Sequence, residues 1–488
     1  MARIAVIGSG MGGLSAAISL AAKGHSVDVF EAANGPGGKA GTHTVDGCTF
    51  DTGPSVLTLP HVAESLFSDA GQNLSDSIEL IQASPAFRYS YADGTRLDVH
   101  HNLSQTAESI GCSLGVDAQK EFEKFMVKAE QIWETAAPNF VYGDAPSLWS
   151  VFKLGPAKWW DLNKINGLQT MWSTLQKDIS SPHLRDLLAR YSTYNGSDPR
   201  QAPATLHCIA HVEMGMGGFG VKGGIQRLVI ALHNLATNLG VQFHFNNPVK
   251  RIRIEQRRCT GLLVNGEWIG ADAVVVNADA ELLRDTLAPE SAPSIPKTLT
   301  PSMSGYNLVV RTKANTERAG HNVHFPKTYL NEFRDIFDEK KAPEEPTVYA
   351  CDPTIAHAAE GWSDGTVPLF LMANVPPTSM GEINVATLRS EILKRAEAIG
   401  WISASDSVVW ERTPTELAQR FPGSHGSLYG SASHGIDAAF RRPANEVRGI
   451  KGLFLASGSA HPGGGVPLAM LSGMAASRRV IHHIGSAQ

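Results

Sequence analysis

The first thirty residues alternate apolar runs with glycine in a pattern that sets four elements. Arg3–Ile7 reads as a short apolar strand, Gly8–Gly13 as a turn, Leu14–Lys23 as a helix stopped by Gly24, and Val27–Glu31 as a second strand. Gly35–Thr42 follows as a loop, and Cys48–Thr58 is expected to return toward the sheet. Phe122, Phe125, Met126, Ala129, Ile132 and Trp133 recur at three-four spacing, which predicts an amphipathic helix over Asp117–Trp133. Gly223–Leu239 and Val385–Ile399 read as helices. Val241–Phe245, Arg251–Ile254, Gly261–Val264, Ala273–Asn277, Thr347–Cys351 and Pro368–Val375 read as strands, with Pro293–Pro301 a connection. A last strand at Leu453–Ala456 leads through a glycine loop into a helix from about Pro467 to His483.

Composition narrows the classes. A chain of 488 residues exceeds one small core, so two packed domains are expected. With 42% hydrophobic and 18% charged residues it is globular rather than disordered. A net charge of −5 gives no reason to expect nucleic acid as a partner. The five cysteines form no C-x-x-C pair, which argues for reduced thiols and against a metal site. The uncharged run Ile4–Ala22 has the length of a membrane span, but Gly8, Gly10, Gly12 and Gly13 interrupt it where a spanning helix needs continuity.

Those glycines spell G-x-G-x-x-G after a strand and at the start of a helix. Gly8 suits the tight turn, Gly10 lets backbone approach a pyrophosphate, and Gly13 permits close helix–strand packing. Glu31 ends the second strand, where a carboxylate accepts from ribose hydroxyls and repels a 2′-phosphate. Gly215–Gly220 satisfies the same pattern without a buried strand before it. It reads as a flexible approach to the next helix, so one dinucleotide site is expected. Gly37-Gly38-Lys39 and Asp51-Thr52-Gly53-Pro54-Ser55 place two further glycine turns and a cation beyond the ribose acid, which favours FAD over NAD. At the far end, Gly458 and His461-Pro462-Gly463-Gly464-Gly465-Val466-Pro467 lead into a helix whose N-terminus suits the negative edge of a reduced flavin.

Together the two ends resemble the flavoprotein superfamily of amine oxidases, Rab GDP-dissociation inhibitors and carotenoid desaturases. The phytoene-desaturase family fits best, through V-I-G-S-G-M-G-G-L-S-A-A from Val6, G-P-G-G-K from Gly35, D-T-G-P-S-V-L-T from Asp51, K-G-G-I-Q-R-L from Lys222, A-D-A-V-V-V-N-A-D-A from Ala271 and H-P-G-G-G-V-P from His461. Ala456–Ala460 lacks the acid that amine oxidases carry in this loop. R-Y-S-T-Y-N-G-S-D-P from Arg190, Phe333–Phe337, and S-L-Y-G…A-A-F-R-R-P over Ser427–Pro443 resemble the 1-hydroxycarotenoid 3,4-desaturase branch. The resemblance implies an α/β fold, with a Rossmann-type FAD-binding domain (1–85, 220–290, 425–488) interleaved with an α+β substrate domain (86–219, 291–424). It also implies FAD contacts from Gly8, Ser9, Gly10, Met11, Gly12, Gly13, Glu31, Gly38, Lys39, Gly53, Pro54, Ser55, Val249, Asn277, Asp279, Gly458, Gly465, Val466, Pro467 and Leu468.

The implied reaction moves hydride from a polyene to flavin, with a general phytoene desaturase and a flavin amine oxidase-like enzyme as alternatives. No acid–base pair is obligatory. His461 is the catalytic candidate, set against a structural histidine bonded within its own loop; His211 and His425 stand behind it. Arg190–Asp198 and Ser424–Tyr429 hold the candidate partners for a polar substrate tip. Trp149–Lys177 mixes tryptophan with lysine, as an interfacial anchor does, or as a buried substrate-domain helix can. A carotenoid drawn from the bilayer implies a cytoplasmic protein, peripheral on the inner face of the cell membrane. The electron acceptor, quinone or oxygen, is left open.

Overall fold

The computed structural model describes residues 1–146, 168–435 and 437–486. Most of the tryptophan–lysine segment, including Lys158, Trp159 and Trp160, lies outside the described residues. Strand β1 (Arg3–Ile7), helix α1 (Met11–Ala21) and β2 (Ser26–Phe30) form the expected first unit, so the uncharged N-terminal run is a strand and a short helix. The chain returns much later with α2 (Gln226–Asn238), β3 (Gln242–His244) and β4 (Ala273–Val276), and closes with β5 (Leu453–Leu455) and α3 (Val466–Gly485). The five strands pair in parallel in the order β3-β2-β1-β4-β5, a doubly wound arrangement. Ala273–Val276 and Leu453–Leu455 are wholly buried, the continuous apolar texture of a sheet covered on both faces.

A second sheet has seven strands in the order Ser407–Arg412, Ser304–Lys313, Thr366–Val375, Val348–Cys351, His321–His324, Phe87–Ser90 and Arg96–Val99. Only the pair His321–His324 with Phe87–Ser90 is parallel. Alternation divides its faces. Tyr306, Leu308, Val310, Leu369 and Leu371 meet Leu388, Ile392 and Ala396 of the helix Val385–Ala398, while Asn307, Phe370 and Met372 point the other way, toward a cavity.

Two expectations are corrected. Cys48–Asp51 does not join the parallel sheet: it pairs with Thr42–Val45 as a hairpin, and Leu57–Thr58 pairs with Gly218–Val221. Gly215–Gly220 is not a flexible approach, because Gly218–Val221 is a strand held between Leu57–Thr58 and Leu80–Ile81. A Cβ on Gly220 would lie 1.8 Å from the Ala356 carbonyl oxygen, so this glycine answers to backbone packing. Among the described residues no helix is long and apolar enough to cross a membrane.

Candidate functional site: a cavity between two glycine loops

Each glycine of the first turn has a physical reason. Gly8 sits at φ +94°, and a Cβ on Gly13 would stand 2.1 Å from the Gly8 carbonyl oxygen. A Cβ on Gly10 would press against Asn277 Oδ1 at 2.8 Å. The loop Gly35–Lys39 lies over this turn, with the Gly37 amide donating to the Ser9 carbonyl at 2.9 Å. Glu31 is fixed by three donors: Oε2 accepts from the Ser9 amide at 2.7 Å and hydroxyl at 2.8 Å, and Oε1 from the Ala33 amide at 2.8 Å. The strand-end acid thus ties down the turn while its remaining lone pairs border the cavity.

The two later motifs meet the first. Asp51 accepts from the Ile225 amide at 2.6 Å and the Gln226 amide at 3.3 Å, which caps α2 from a distant segment. A Cβ on Gly224 would sit 2.7 Å from Asp51 Oδ2, so D-T-G-P-S and K-G-G-I-Q-R-L are two halves of one contact. Burial pushes the Asp51 carboxyl up to about 6, against the pull of the two amides. A folded-state pKa above the unfolded one favours folding at low pH, and that contribution is lost as pH rises through about 6. Asp51→Asn keeps an acceptor but cannot titrate. Denaturant midpoints from pH 4 to 6.5 should show wild type losing ~1–3 kcal/mol relative to the variant. Parallel pH profiles would refute the assignment.

At the other end, Gly458, Gly465, Val466, Pro467 and Leu468 line the same cavity. Gly465, at φ +101°, precedes α3, and the N-termini of α1 and α3 both lack a side-chain cap and an acidic residue in the first turn. Asn277 reaches from the end of β4 to the Ala456 carbonyl. Lys39 Nζ donates to the Leu428 and Ser427 carbonyls at 2.8 and 3.3 Å; burial lowers its pKa and nearby Asp279 opposes that. Burial likewise raises Asp279, with Lys39 and Ser459 acting against it. His461 borders the cavity, but its Nε2 donates to the Gly143 carbonyl at 3.0 Å, and burial lowers its pKa.

The cavity measures about 1460 Å³, beyond the roughly 300–1,000 Å³ of a pocket for one small ligand. Gly8, Gly10, Met11, Gly12, Glu31, Gly38, Lys39, Gly53, Pro54, Ser55, Val249, Asn277 and Asp279 also line it. Ser9 and Gly13 lie behind the wall; Ser9 is buried against Glu31. Away from the glycine loops the walls turn apolar, with Trp133, Phe140, Val141, Leu206, Ile209 and Val212. The floor is one register row of the seven-stranded sheet, in which Arg412 faces Asn307, Asn307 faces Met372 and Met372 faces Tyr349. Tyr349 Oη meets Ser55 Oγ at 2.5 Å and His321 Nδ1 at 2.8 Å. The Asn307 Oδ1 is buried and has no partner among the described residues.

Several lining groups escaped the sequence reading. Arg412 donates to the Thr52 carbonyl at 3.2 Å and hydroxyl at 3.3 Å, and so props the Asp51–Ser55 loop; burial lowers its pKa to about 10. Arg442 donates to the carbonyls of Tyr429, Ser431 and Gly458, which joins the last loop to Ser424–Tyr429. Its only sequence signal was the A-A-F-R-R-P run. Of the weaker histidines, His425 is exposed and contacts Glu281 Oε2 at 3.2 Å, and His211 does not line the cavity.

FAD suits this cradle. Its negative pyrophosphate matches side-chain-free backbone at an uncapped helix N-terminus, its ribose matches Glu31, and its flavin edge matches the start of α3. The fold and site define a flavoprotein oxidoreductase. The sequence matches the flavin containing amine oxidoreductases over residues 11–481, and the chain belongs to that family. It is 33% identical to the hydroxyneurosporene desaturase of Rubrivivax gelatinosus, over 99% of this chain and 94% of the relative. The hydroxyneurosporene desaturase of Rhodobacter capsulatus is 34% identical over 98% and 97%. The 4,4'-diapolycopene oxygenase of Methylomonas is 29% identical over 98% of both chains. Among solved structures, cyclohexylamine oxidase from Brevibacterium oxydans superposes with a TM-score of 0.63 at 16% identity, over 99% of both chains. An oxidoreductase from Methanosarcina mazei superposes with a TM-score of 0.61 at 15% identity, over 97% of this chain and 99% of that one. At such identities the superpositions speak for the fold.

Proposed function

We propose that this FAD-dependent oxidoreductase is a carotenoid desaturase that introduces the 3,4 double bond of a 1-hydroxy- or 1-methoxy-carotenoid. The observation that carries the reading is one cavity lined both by the glycine cradle and by the apolar Trp133, Phe140, Leu206 and Ile209. The full-length likeness to two hydroxyneurosporene desaturases supports it. Residues 1–85, 220–290 and 425–488 act as the flavin-binding domain, and 86–219 and 291–424 as the substrate domain. The carotenoid comes from the bilayer to a protein lying on the inner face of the cell membrane.

Desaturation takes hydride from one carbon and a proton from its neighbour. Bound FAD supplies the hydride acceptor. Glu31, Lys39, Asn277 and the two glycine loops would hold that cofactor, and the start of α3 would favour negative charge beside it. Trp133, Phe140, Leu206 and Ile209 align a rigid apolar rod and exclude water, so orientation supplies much of the catalysis. Conjugation spreads the developing cation, so a weak base suffices to take the proton.

Phytoene, neurosporene and hydroxyneurosporene should be supplied separately to the holoprotein in liposomes, with products separated by chromatography. The hydroxylated substrate is expected to gain one double bond, and phytoene to react about tenfold to a hundredfold more slowly. Equal consumption of phytoene would make this a general phytoene desaturase. No consumption of any polyene would refute carotenoid chemistry altogether.

A further inference from the structure

A buried cation of the cavity wall keeps most of its hydrogen-bonding capacity unspent among the described residues. Arg190 follows the helix Pro182–Ala189, is 9% exposed, and lines the cavity. Four aromatic rings surround its guanidinium: Tyr194 at 5.4 Å, Phe87 and Tyr89 at 5.6 Å, and Tyr349 at 5.9 Å to their centroids. Such a cage holds the cation in place and leaves its edge for a ligand. Among the described residues it makes one hydrogen bond, from Nη1 to the Tyr89 hydroxyl at 3.1 Å. A guanidinium carries five N–H donors, so most of them are without a protein acceptor.

Four neighbouring hydroxyls are already committed. Tyr191 Oη donates to Glu213 Oε1 at 2.8 Å, and Tyr194 Oη donates to Glu213 Oε2. Tyr349 Oη is engaged with Ser55 and His321, and the Thr193 hydroxyl donates to the Arg190 carbonyl at 2.8 Å. Burial works against the charge of Arg190, but the surrounding phenols and Glu213 hold its pKa above the ordinary value. A permanent donor therefore faces the cavity.

We propose that the Arg190 guanidinium donates a hydrogen bond to the oxygen at the functionalised end of the polyene and thereby selects oxygenated over purely hydrocarbon substrates. This rests on the carotenoid reading above and goes further, by assigning the donor and its direction. Arginine only donates, so the ligand oxygen need only accept. A tertiary alcohol and its methyl ether both qualify, whereas a hydrocarbon end leaves the donors unpaired.

Equilibrium binding of neurosporene, 1-hydroxyneurosporene and its 1-methyl ether to the holoprotein tests this, read from the shift of polyene absorption in detergent micelles. Wild type is expected to hold the alcohol and the ether at least about tenfold more tightly than the hydrocarbon. Arg190→Met should weaken both oxygenated ligands, leave the hydrocarbon unchanged, and bring the preference close to one, with flavin content intact. An unchanged preference in the variant overturns the proposal while leaving the carotenoid reading in place, as does an equal loss of all three ligands, the mark of a structural role. The comparison on wild type needs no folded variant: an ether rejected along with the hydrocarbon means that the site demands a ligand O–H, which overturns Arg190 as the partner. Failure of wild type to bind any of the three refutes the carotenoid reading itself.

Discussion

Replacing Glu31 with arginine is expected to yield a colourless protein. In the native chain one carboxylate accepts three hydrogen bonds, from the Ser9 amide, the Ser9 hydroxyl and the Ala33 amide. Arginine strands all three donors at a cost of roughly 1–3 kcal/mol for each that stays buried. It also places a cation where ribose hydroxyls seek an acceptor. The turn that Glu31 steadies includes Gly8 and Gly10, so the loss reaches the phosphate end of the site as well. The measurement is the ratio of flavin to protein absorbance after gel filtration, which should fall at least about a hundredfold, with circular dichroism to show that the chain remains folded. Glu31→Gln keeps one acceptor oxygen and should retain part of the flavin. An arginine variant that purifies with full flavin would overturn the assignment of this end of the cavity.

The second large effect is expected where two helices cross. Helices α1 and α3 cross so closely that a Cβ on Gly473 would lie 2.2 Å from the Gly12 carbonyl oxygen and 2.9 Å from the Ala16 amide nitrogen. Ser15 Oγ donates to the Met470 carbonyl at 2.8 Å and Ser477 Oγ to the Ala16 carbonyl at 3.3 Å, which fixes the register of the crossing. Gly473→Leu must drive the backbones apart, at a cost of about 3 kcal/mol or more. Since the N-termini of both helices face the cofactor cavity, flavin retention should fall with the melting temperature. Gly485, on the same helix, is exposed, and a Cβ there meets nothing within 4 Å. Gly485→Ala should therefore leave both readouts unchanged. A Gly473→Leu protein that melts with wild type would show that the helices can separate without cost.

What could be read from the sequence was what short stretches determine. The strand, turn, helix and strand of residues 3–31 depend on apolar spacing and glycine placement within a few residues. The first strand stands as expected, the second lies one residue earlier, and the helix starts at Met11, inside the expected turn, and ends at Ala21. The amphipathic helix at Asp117–Trp133 extends only to Val116–Ala136. Ser304–Lys313, His321–His324 and Ser407–Arg412 went unseen, because Asn307 and Arg412 face the cavity and His321, Asn322 and His324 are buried polar residues, which blurs the alternation. The cavity floor escaped for a related reason. Arg412, Asn307, Met372 and Tyr349 become neighbours only through strand pairing across long stretches of chain. Nothing local in the sequence marks Gly473, since the carbonyl that demands it lies at the opposite end of the chain.

That closure of the chain's ends upon each other has a consequence for biosynthesis. Residues 3–30 leave the ribosome early, but β5 and α3, which complete their sheet and cover α1, come from 453–485. At roughly 5–20 residues per second the interval is on the order of twenty seconds to a minute and a half. Throughout it, the first glycine turn lacks the strand and helix that later pack against its unit. The enclosing cavity, whose lining draws on both ends, is therefore complete only once residues 453–485 have been made.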